Sequence, residues 1–175
     1  DAMLGLWLEI LHKVPNARLF LKHHLFNHAE GRAFARQRLD LLGFPLDRID
    51  FQSYTADYLS EYHKVDIALD TYPYTGGLTT FEALYMGVPV ISLYGKRHGS
   101  RFGYSILQNA GIGELAVDKG ELYVTKAVAL AKDHSLLILL HKNLRHMVTA
   151  SPLLDAVGYT KAVEDLYKKL WKNVR

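Results

Sequence analysis

The chain has 175 residues, of which 49% are hydrophobic, with a formal net charge of +3 and no cysteine. This length suits one domain with a sizeable core, and the lack of cysteine excludes disulfides and thiolate metal sites. The mild charge argues against a nucleic-acid partner, and no apolar run is long enough to predict a membrane helix. We therefore expect a single cytoplasmic domain over residues 1–175. The abrupt helical start at Asp1 suggests a fragment of a longer chain.

The first part of the chain is predicted to alternate between helix and strand. Helices are expected over 1–13 and 28–44, and strands over 17–22 and 48–54. In the second helix Phe34, Leu39 and Leu42 should face the core, and Gly43 should end the helix.

The middle of the chain carries two apolar strands, 65–70 and 88–94, which lack polar alternation. Such strands are typical of a sheet that is covered on both faces. One or two helical turns over 56–64 precede them, and a helix over 100–111 and a short strand over 113–117 follow. Strands that alternate with helices predict βαβ units, and so an α/β fold with a parallel sheet flanked by helices.

Three further helices are predicted at the end of the chain, over 118–133, 134–148 and 153–174. The last has an apolar stripe at helical spacing, formed by Ala162, Val163, Leu166, Tyr167, Leu170 and Trp171. Its lysines lie off that stripe and are interpreted as a solvated face.

The sequence Thr-Gly-Gly-Leu-Thr-Thr, which follows the strand ending at Asp70, predicts an anion site. Ligands of open α/β sheets bind at the carboxyl ends of the strands. Gly76 and Gly77 would allow strained backbone angles and close approach of a ligand. A helix starting near Thr79 would present free N–H groups, and Thr79 and Thr80 could add hydroxyl donors. A phosphate or diphosphate is the natural ligand.

Glu82 leaves two interpretations open. It could accept hydrogen bonds from ribose hydroxyls, as acidic residues do in dinucleotide folds. Alternatively, Thr79 is a helix N-cap and Glu82, three residues later, completes a capping box. Spacing alone favours the capping box.

The stretch from Val65 to Gly95, followed by Ser100 to Gly111, resembles the O-linked GlcNAc transferase family, and most closely its bacterial members and its plant SPINDLY-like branch. The resemblance extends over nearly the whole chain. It implies the C-terminal, Rossmann-like, nucleotide-sugar-binding lobe of a GT-B glycosyltransferase. The expected partners are UDP-GlcNAc or a related nucleotide-sugar, an acceptor protein and an N-terminal lobe, which tetratricopeptide repeats often precede.

The resemblance also implies roles for individual residues. Thr79 and Thr80 match a threonine pair that holds the diphosphate, and Glu82 matches an acidic ribose-binding position that is Asp in the animal enzymes. Leu78 stands where those enzymes carry a His at the sugar diphosphate, so one polar contact is lost while the backbone N–H remains. Tyr58 aligns with a His that packs on the nucleobase.

Two further positions follow from the resemblance. The main chain of Ser53 to Thr55 would lie along the base edge, and Arg101 matches a family arginine. The family's lysine that neutralises the leaving diphosphate lies upstream of the first helix, so no catalytic residue is expected within this chain.

The remaining candidates are weaker. Lys96 and Arg97 are interpreted as a solvated loop rather than as phosphate ligands. His24 and His28 have the i, i+4 spacing of a metal pair, but no third ligand is evident nearby, so no metal and no cofactor are expected.

The expected activity of the full-length enzyme is inverting transfer of a sugar, GlcNAc first, from a UDP-sugar to protein Ser or Thr. The isolated lobe is expected to be inactive. GDP-fucose, as in the SPINDLY branch, and UDP-glucose remain alternative donors. A binding module with a decayed nucleotide site, suggested by Leu78, is the alternative outside enzymes.

Overall fold

The computed structural model describes residues 2–173. Its α-helices are α1 (Ala2–Lys13), α2 (Ala29–Leu41), α3 (Leu78–Tyr85), α4 (Phe102–Asn109), α5 (Gly120–Lys132), α6 (His134–Thr149) and α7 (Ala156–Asn173). Its strands are β1 (Leu19–Lys22), β2 (Ile49–Gln52), β3 (Ala68–Leu69), β4 (Val90–Leu93) and β5 (Ala116–Val117). Short 3₁₀ turns lie at His24–Asn27, Leu46–Arg48, Ser60–Lys64, His98–Ser100, Gly113–Leu115 and Pro152–Leu154.

All the strand pairs in the described part of the chain are parallel, as the α/β prediction requires. They form two separate sheets, however, rather than the one that the alternation predicts. β1 pairs with β2, and β4 lies between β3 and β5. The register places Leu19 beside Ile49 and Ala68 beside Val90.

Each sheet has its own cluster of buried side chains. The larger cluster surrounds β4, whose four residues are all buried, and takes in α3, α4, α5 and α6. The smaller one surrounds β1 and β2 and contains Leu11, Leu19, Leu39, Phe44 and Ile49. Helix α1 joins the two, since Ile10 belongs to the larger cluster and Leu11 to the smaller one.

The predicted strands are mostly longer than the observed ones. The 65–70 strand shortens to β3 because the Val65 amide closes a turn on the Tyr62 carbonyl. β3 is also only half-buried, so the expectation of two covered faces holds for β4 and is wrong for β3. The 113–117 strand shortens to β5 because the Leu115 amide turns back onto Ile112.

Helix ends follow from local capping. Gly43 has a φ of +82° and ends α2 as predicted. Asp133 caps α6 by accepting from the Leu136 amide at 2.9 Å. Asp155 accepts from the Gly158 amide at 2.8 Å, so α7 begins at Ala156 rather than at residue 153. Asp1 and Val174, which the predicted helices include, lie outside the described residues.

The prediction that Phe34 faces the core is wrong, because its side chain is 60% exposed. The buried stripe of α2 passes through Gly31 and Leu39 with Ala35 half-buried between them, and Phe34 lies to one side of it. Leu39 is buried and Leu42 packs against the smaller cluster, as predicted.

The apolar stripe of α7 does not pack into this chain's core. Leu166, Tyr167 and Leu170 remain about half or more exposed, and only Val163 is half-buried. Among residues 2–173, no helix is long and apolar enough to cross a membrane.

Candidate functional site

The turn between β3 and α3 is organised by the buried carboxylate of Asp70. One of its oxygens, Oδ1, accepts from the amides of Thr71 at 2.9 Å and Gly76 at 2.7 Å. The other, Oδ2, accepts from the Ser92 hydroxyl at 2.6 Å. The turn is therefore held at both ends by bonds to one buried side chain.

The pKa of Asp70 is raised because burial disfavours its charged form, while the hydrogen bonds from Ser92, Gly76 and Thr71 oppose that rise. Ser92, Gly76 and Thr71 all donate to Asp70, and an ionised carboxylate can only accept. The side chain thus contributes fixed acceptors to the turn, and three of its acceptor positions are used by donors of the protein.

Thr75, which is fully buried, connects the same turn to the next loop. Its amide donates to the Gly99 carbonyl at 3.1 Å, and its Oγ1 accepts from the Gly103 amide at 3.3 Å. Gly103 is required there because a Cβ would collide with Ser92 Oγ and Asp70 Oδ2. The β3–α3 turn and the start of α4 therefore form one hydrogen-bonded unit.

Tyr123 of α5 is hydrogen-bonded to this unit. Its buried hydroxyl donates to the Asp70 carbonyl at 2.9 Å and accepts from Trp7 Nε1 at 3.2 Å. Burial raises the pKa of Tyr123 far above its ordinary value, so it remains a neutral donor. α1, α5 and the turn are thereby linked through a chain of hydrogen bonds.

The two glycines of the turn have different roles, and neither has a positive φ. A Cβ on Gly76 would lie 2.5 Å from Thr80 Oγ1 and 2.7 Å from Thr79 Oγ1, so Gly76 is required by close packing. A Cβ on Gly77 would meet nothing within 4 Å. The open space beside Gly77 is where a ligand can approach the backbone.

The N-terminus of α3 does not form the capping box that Thr79 and Glu82 would make. The helix begins at Leu78 with Gly77 as its N-cap, and no side chain caps it. The first amide to bond within the helix is that of Phe81, to the Gly77 carbonyl at 3.1 Å. The capping-box alternative, with Thr79 as N-cap, is therefore wrong, because Thr79 lies inside the helix.

The side chains on this first turn differ in exposure. Leu78 is 70% exposed and Thr79 is exposed, whereas Thr80 is buried and donates its hydroxyl to the Gly76 carbonyl at 3.0 Å. A small cavity of about 190 Å³ is bordered by Gly76, Thr79 and Thr80. The Thr79 side chain is thus exposed beside this cavity, and Thr80 closes the turn through its bond to the Gly76 carbonyl.

Tyr58 and Glu82 come together although 24 residues separate them. The Tyr58 hydroxyl donates to Glu82 Oε1 at 2.6 Å, and this bond raises the Tyr58 pKa. Burial, followed by the charge of Glu82, raises the pKa of the neighbouring Tyr62 to about 12. The second oxygen of Glu82 has no bond among the described residues and can accept from a ligand hydroxyl.

The loop from Ser53 to Thr55 already uses much of its polar surface. Lys22 Nζ donates to the Ser53 carbonyl at 3.3 Å and to Thr55 Oγ1 at 2.5 Å, and the Tyr54 amide donates to Asn27 Oδ1 at 2.9 Å. These contacts fix the loop on β1. They also occupy the Tyr54 amide, which the resemblance would have offered to a base.

Arg101 lies in the neighbouring loop, where its guanidinium is stacked over two aromatic rings. Its Cζ is 4.7 Å from the Tyr104 ring centroid and 5.5 Å from that of Tyr94, and Nη1 donates to the Gly95 carbonyl at 3.2 Å. Lys96 and Arg97 are exposed on the same loop. Arg101 thus holds the 95–101 loop, and none of these contacts is with Thr79 or Thr80.

The geometry that a His24–His28 metal pair needs is absent. His24 belongs to a 3₁₀ turn, and His28 has extended backbone angles before α2. The i, i+4 spacing therefore does not put the two rings on one face of an α-helix. No group of three or more metal-ligating side chains occurs within residues 2–173.

Four buried residues of the unit were not identified as site residues from the sequence: Asp70, Thr75, Ser92 and Tyr123. Asp70 and Ser92 carried a signal, since a carboxylate ending an apolar strand and a hydroxyl inside one both need buried partners. Tyr123 carried none, because a tyrosine on an amphipathic helix looks like ordinary core.

Comparison with known proteins places the chain in a family. The model of glycosyl transferase family 41 matches residues 1–163. The chain is 36% identical to a probable UDP-N-acetylglucosamine–peptide N-acetylglucosaminyltransferase SPINDLY from Hordeum vulgare, over 97% of this chain and 18% of that protein. It is 31% identical to the corresponding SEC protein of Arabidopsis thaliana, over 97% of this chain and 17% of that protein.

A solved structure agrees with these relatives. A mutant O-GlcNAc transferase from Thermobaculum terrenum is 33% identical and matches with a TM-score of 0.91, over 99% of this chain and 34% of that one. The chain thus spans about a fifth or less of the curated relatives' length and about a third of the solved chain. The prediction of an α/β lobe of a GT-B enzyme related to the O-linked GlcNAc transferases is confirmed, and the chain belongs to glycosyl transferase family 41.

Proposed function

We propose that this chain is the donor-binding lobe of a cytoplasmic protein glycosyltransferase, which transfers GlcNAc from UDP-GlcNAc to a Ser or Thr hydroxyl. The observation that carries the proposal is the uncapped N-terminus of α3 beside the open space at Gly77, in a chain of family 41. The names of the relatives, which are UDP-GlcNAc–peptide transferases, support the choice of donor and acceptor.

The leaving diphosphate would lie at the start of α3. The amides of Leu78, Thr79 and Thr80 precede the first bond within the helix, and they carry the partial positive charge of the helix N-terminus. The exposed Thr79 hydroxyl adds a donor. Oriented donors that stabilise the charge appearing on a leaving group lower the barrier to transfer, since they need no reorganisation during the reaction. No metal is required if these groups and an upstream lysine neutralise the diphosphate.

The nucleoside would lie across Tyr58 and Glu82. Glu82 has one oxygen bonded to Tyr58 and the other available for a ribose hydroxyl. Tyr58 is 39% exposed, which leaves ring surface for stacking on a base. In this arrangement Tyr58 also orients Glu82, so the two residues act together. Leu78 contributes its amide while its exposed side chain offers the sugar no polar group.

The acceptor oxygen would attack the anomeric carbon while the carbon–oxygen bond to the diphosphate breaks, which inverts the anomeric configuration. The chain accounts for less than a fifth of the curated relatives' length, and we propose that acceptor binding and proton removal belong to the other lobe. The isolated chain should bind the donor and fail to turn it over. Turnover by residues 1–175 well above that of a Thr80→Ala variant would contradict this part of the proposal.

The test is a titration of the chain with UDP, UDP-GlcNAc, UDP-glucose, GDP and GDP-fucose, followed by calorimetry and amide chemical shifts. We expect the uridine ligands to bind, with shifts concentrated at residues 76–80 and at Tyr58 and Glu82. Preference for guanosine ligands would reassign the donor to GDP-fucose. Failure of all five ligands at millimolar concentration, in a folded chain, would favour a binding module with a decayed site.

Thr79→Ala supplies the sharpest variant, because its hydroxyl is exposed and has no bond among the described residues. Thr125→Ala on α5 is its matched control, as this threonine is also exposed and helical. The proposal predicts a several-fold loss of UDP affinity in Thr79→Ala and none in Thr125→Ala. Equal affinities in the two variants would contradict a diphosphate at this helix.

A further inference from the structure

Two segments of the chain lie side by side at the carboxyl ends of β1 and β2. β1 ends at Lys22 and β2 at Gln52, and the register pairs these two residues. The chain continues from β1 into the 3₁₀ turn His24–Asn27 and from β2 into the segment 53–57. Ligands of open α/β sheets bind outside the carboxyl ends of the strands. Both segments therefore lie at the edge of the lobe where a ligand is expected.

Side chains that follow β1 in the sequence hold the 53–57 segment in place. Arg32 Nη2 donates to the Ser53 hydroxyl at 2.7 Å, and this hydroxyl donates to the Phe26 carbonyl at 2.9 Å. Arg32 Nε donates to the same carbonyl at 2.6 Å. The 53–57 segment is therefore tied to the turn beside it before any ligand binds.

Asn27, which is exposed, completes this set of contacts in a defined orientation. A backbone N–H can only donate, so the atom that accepts from the Tyr54 amide at 2.9 Å is the carboxamide oxygen Oδ1. The amino group Nδ2 lies on the other arm of the same planar carboxamide. Across residues 2–173 it has no hydrogen-bond partner. Its two N–H donors are therefore directed away from Tyr54 and are available to a ligand.

The 53–57 segment leads directly to Tyr58, whose ring is proposed to stack on the base. The raised pKa of Tyr58 comes first from its bond to Glu82 and then from burial, and it includes a contribution from Tyr54, so the two tyrosines are neighbours. The Tyr54 amide is already used by Asn27. A base that lies between Tyr58 and the end of β2 would therefore meet the Asn27 amino group in place of that amide.

We infer that Asn27 determines base specificity, with Nδ2 donating to a keto oxygen on the base of the donor nucleotide. The inference rests on the proposed function, because it needs a nucleotide at Tyr58 and Glu82. Uracil and guanine carry a keto acceptor, O4 and O6, where cytosine and adenine carry an amino donor. A fixed donor favours the first pair and brings two donors together in the second. Asn27 thus selects keto bases, a class that includes both UDP-sugars and GDP-sugars.

The experiment measures the dissociation constants of UDP, CDP, GDP and ADP by calorimetry, since these ligands share the ribose and the diphosphate. We expect UDP to bind on the order of tenfold more tightly than CDP, and GDP than ADP, as for one hydrogen bond. Asn27→Asp keeps the acceptor for the Tyr54 amide and replaces the donor by a second acceptor. Its charge should weaken all four ligands alike, whereas the preference for UDP over CDP should disappear or reverse. Asn16→Asp, at an exposed position before β1, adds the same charge and should keep the preference.

A second measurement follows the contact itself. The side-chain amide protons of Asn27 give their own NMR signals, which should move downfield with UDP, as hydrogen-bonded N–H groups do, and should not do so with CDP. Signals that move alike with the two ligands would contradict the assigned contact.

Three results separate this inference from the proposed function. Binding of UDP with an unchanged UDP-to-CDP ratio in Asn27→Asp would overturn the inference alone. Tighter binding of UDP by Asn27→Ala would also overturn it, because Asn27 would then cover a Tyr54 amide that the base needs. Failure of all four nucleotides to bind, in the original chain and in Asn27→Ala, would contradict the proposed function and the inference with it.

Discussion

The two halves of the candidate site are constructed differently. The half proposed to bind the diphosphate, from Asp70 to Thr80, rests on the buried Asp70 carboxylate, which accepts from the Gly76 amide and the Ser92 hydroxyl. The half proposed to bind the nucleoside consists of the exposed Tyr58 and the half-buried Glu82, joined by one hydrogen bond. A diphosphate is common to all the donors considered, whereas the base and sugar differ. A rigid turn suits the constant group, and a surface pair allows the variable group to change without cost to the fold.

The largest expected effect comes from Asp70→Ala. The substitution leaves two amides and one hydroxyl without an acceptor in the core, which should lower the free energy of unfolding by about 3 kcal/mol or more. Urea unfolding measures this, with the exposed Asp57→Ala as control, expected within about 0.5 kcal/mol of the original chain. Similar losses of unfolding free energy in the two variants would show that the bonds to Asp70 stabilise the chain no more than the exposed Asp57 does.

Substitution of Gly76 should lower stability, whereas substitution of Gly77 should weaken binding. Gly76→Ala forces its Cβ against two threonine hydroxyls and should destabilise the chain by about 1–3 kcal/mol. Gly77→Ala places its Cβ in open space and should fold normally but bind UDP at least several-fold more weakly. Thermal unfolding and calorimetry test the two variants together. Unchanged UDP affinity in Gly77→Ala would mean that the ligand does not approach there.

Tyr123→Phe should have an intermediate effect. It removes the hydroxyl that donates to the Asp70 carbonyl and accepts from Trp7, at about 1–2 kcal/mol of stability. Urea unfolding checks the value, and Tyr159→Phe, at an exposed position on α7, is the control. Unchanged stability in Tyr123→Phe would indicate that the bonds of the Tyr123 hydroxyl do not stabilise the turn.

The raised pKa of Asp70 predicts the sign of a pH effect. A raised folded pKa means that the contribution of this group to stability is complete below its unfolded pKa and decreases as pH rises through the folded pKa. The Asp70→Asn variant lacks this titration. The stability of the original chain relative to Asp70→Asn should therefore fall from pH 3 to pH 7, as measured by urea unfolding. A rise in this relative stability between pH 3 and pH 7 would mean that the hydrogen bonds lower the Asp70 pKa by more than burial raises it.

The smallest effect concerns the nucleoside half. Glu82→Ala removes the carboxylate that accepts from Tyr58, so the Tyr58 pKa should return towards its ordinary value, with little change in stability. A tyrosine absorbance or NMR titration of the variant measures the shift. An unchanged Tyr58 pKa would mean that the two side chains are not bonded in solution.

The sequence by itself determined the α/β class, the strand-to-helix turn at Gly76 and Gly77, and the buried β4. These follow from local patterns, since apolar runs, glycines and helix periodicity act over a few residues. The family motif also indicated the site residues, whose binding roles remain predictions.

Only the tertiary structure decided which contacts those residues make. Spacing favoured a capping box at Thr79 and Glu82, but Glu82 instead bonds Tyr58 from another segment. The support of Asp70 by Ser92 and Tyr123 joins residues 22 and 53 positions apart. The division of the sheet between β1 and β3 likewise depends on strand pairing over long sequence distances. Local sequence carries no record of such pairing, because packing of the whole chain selects it.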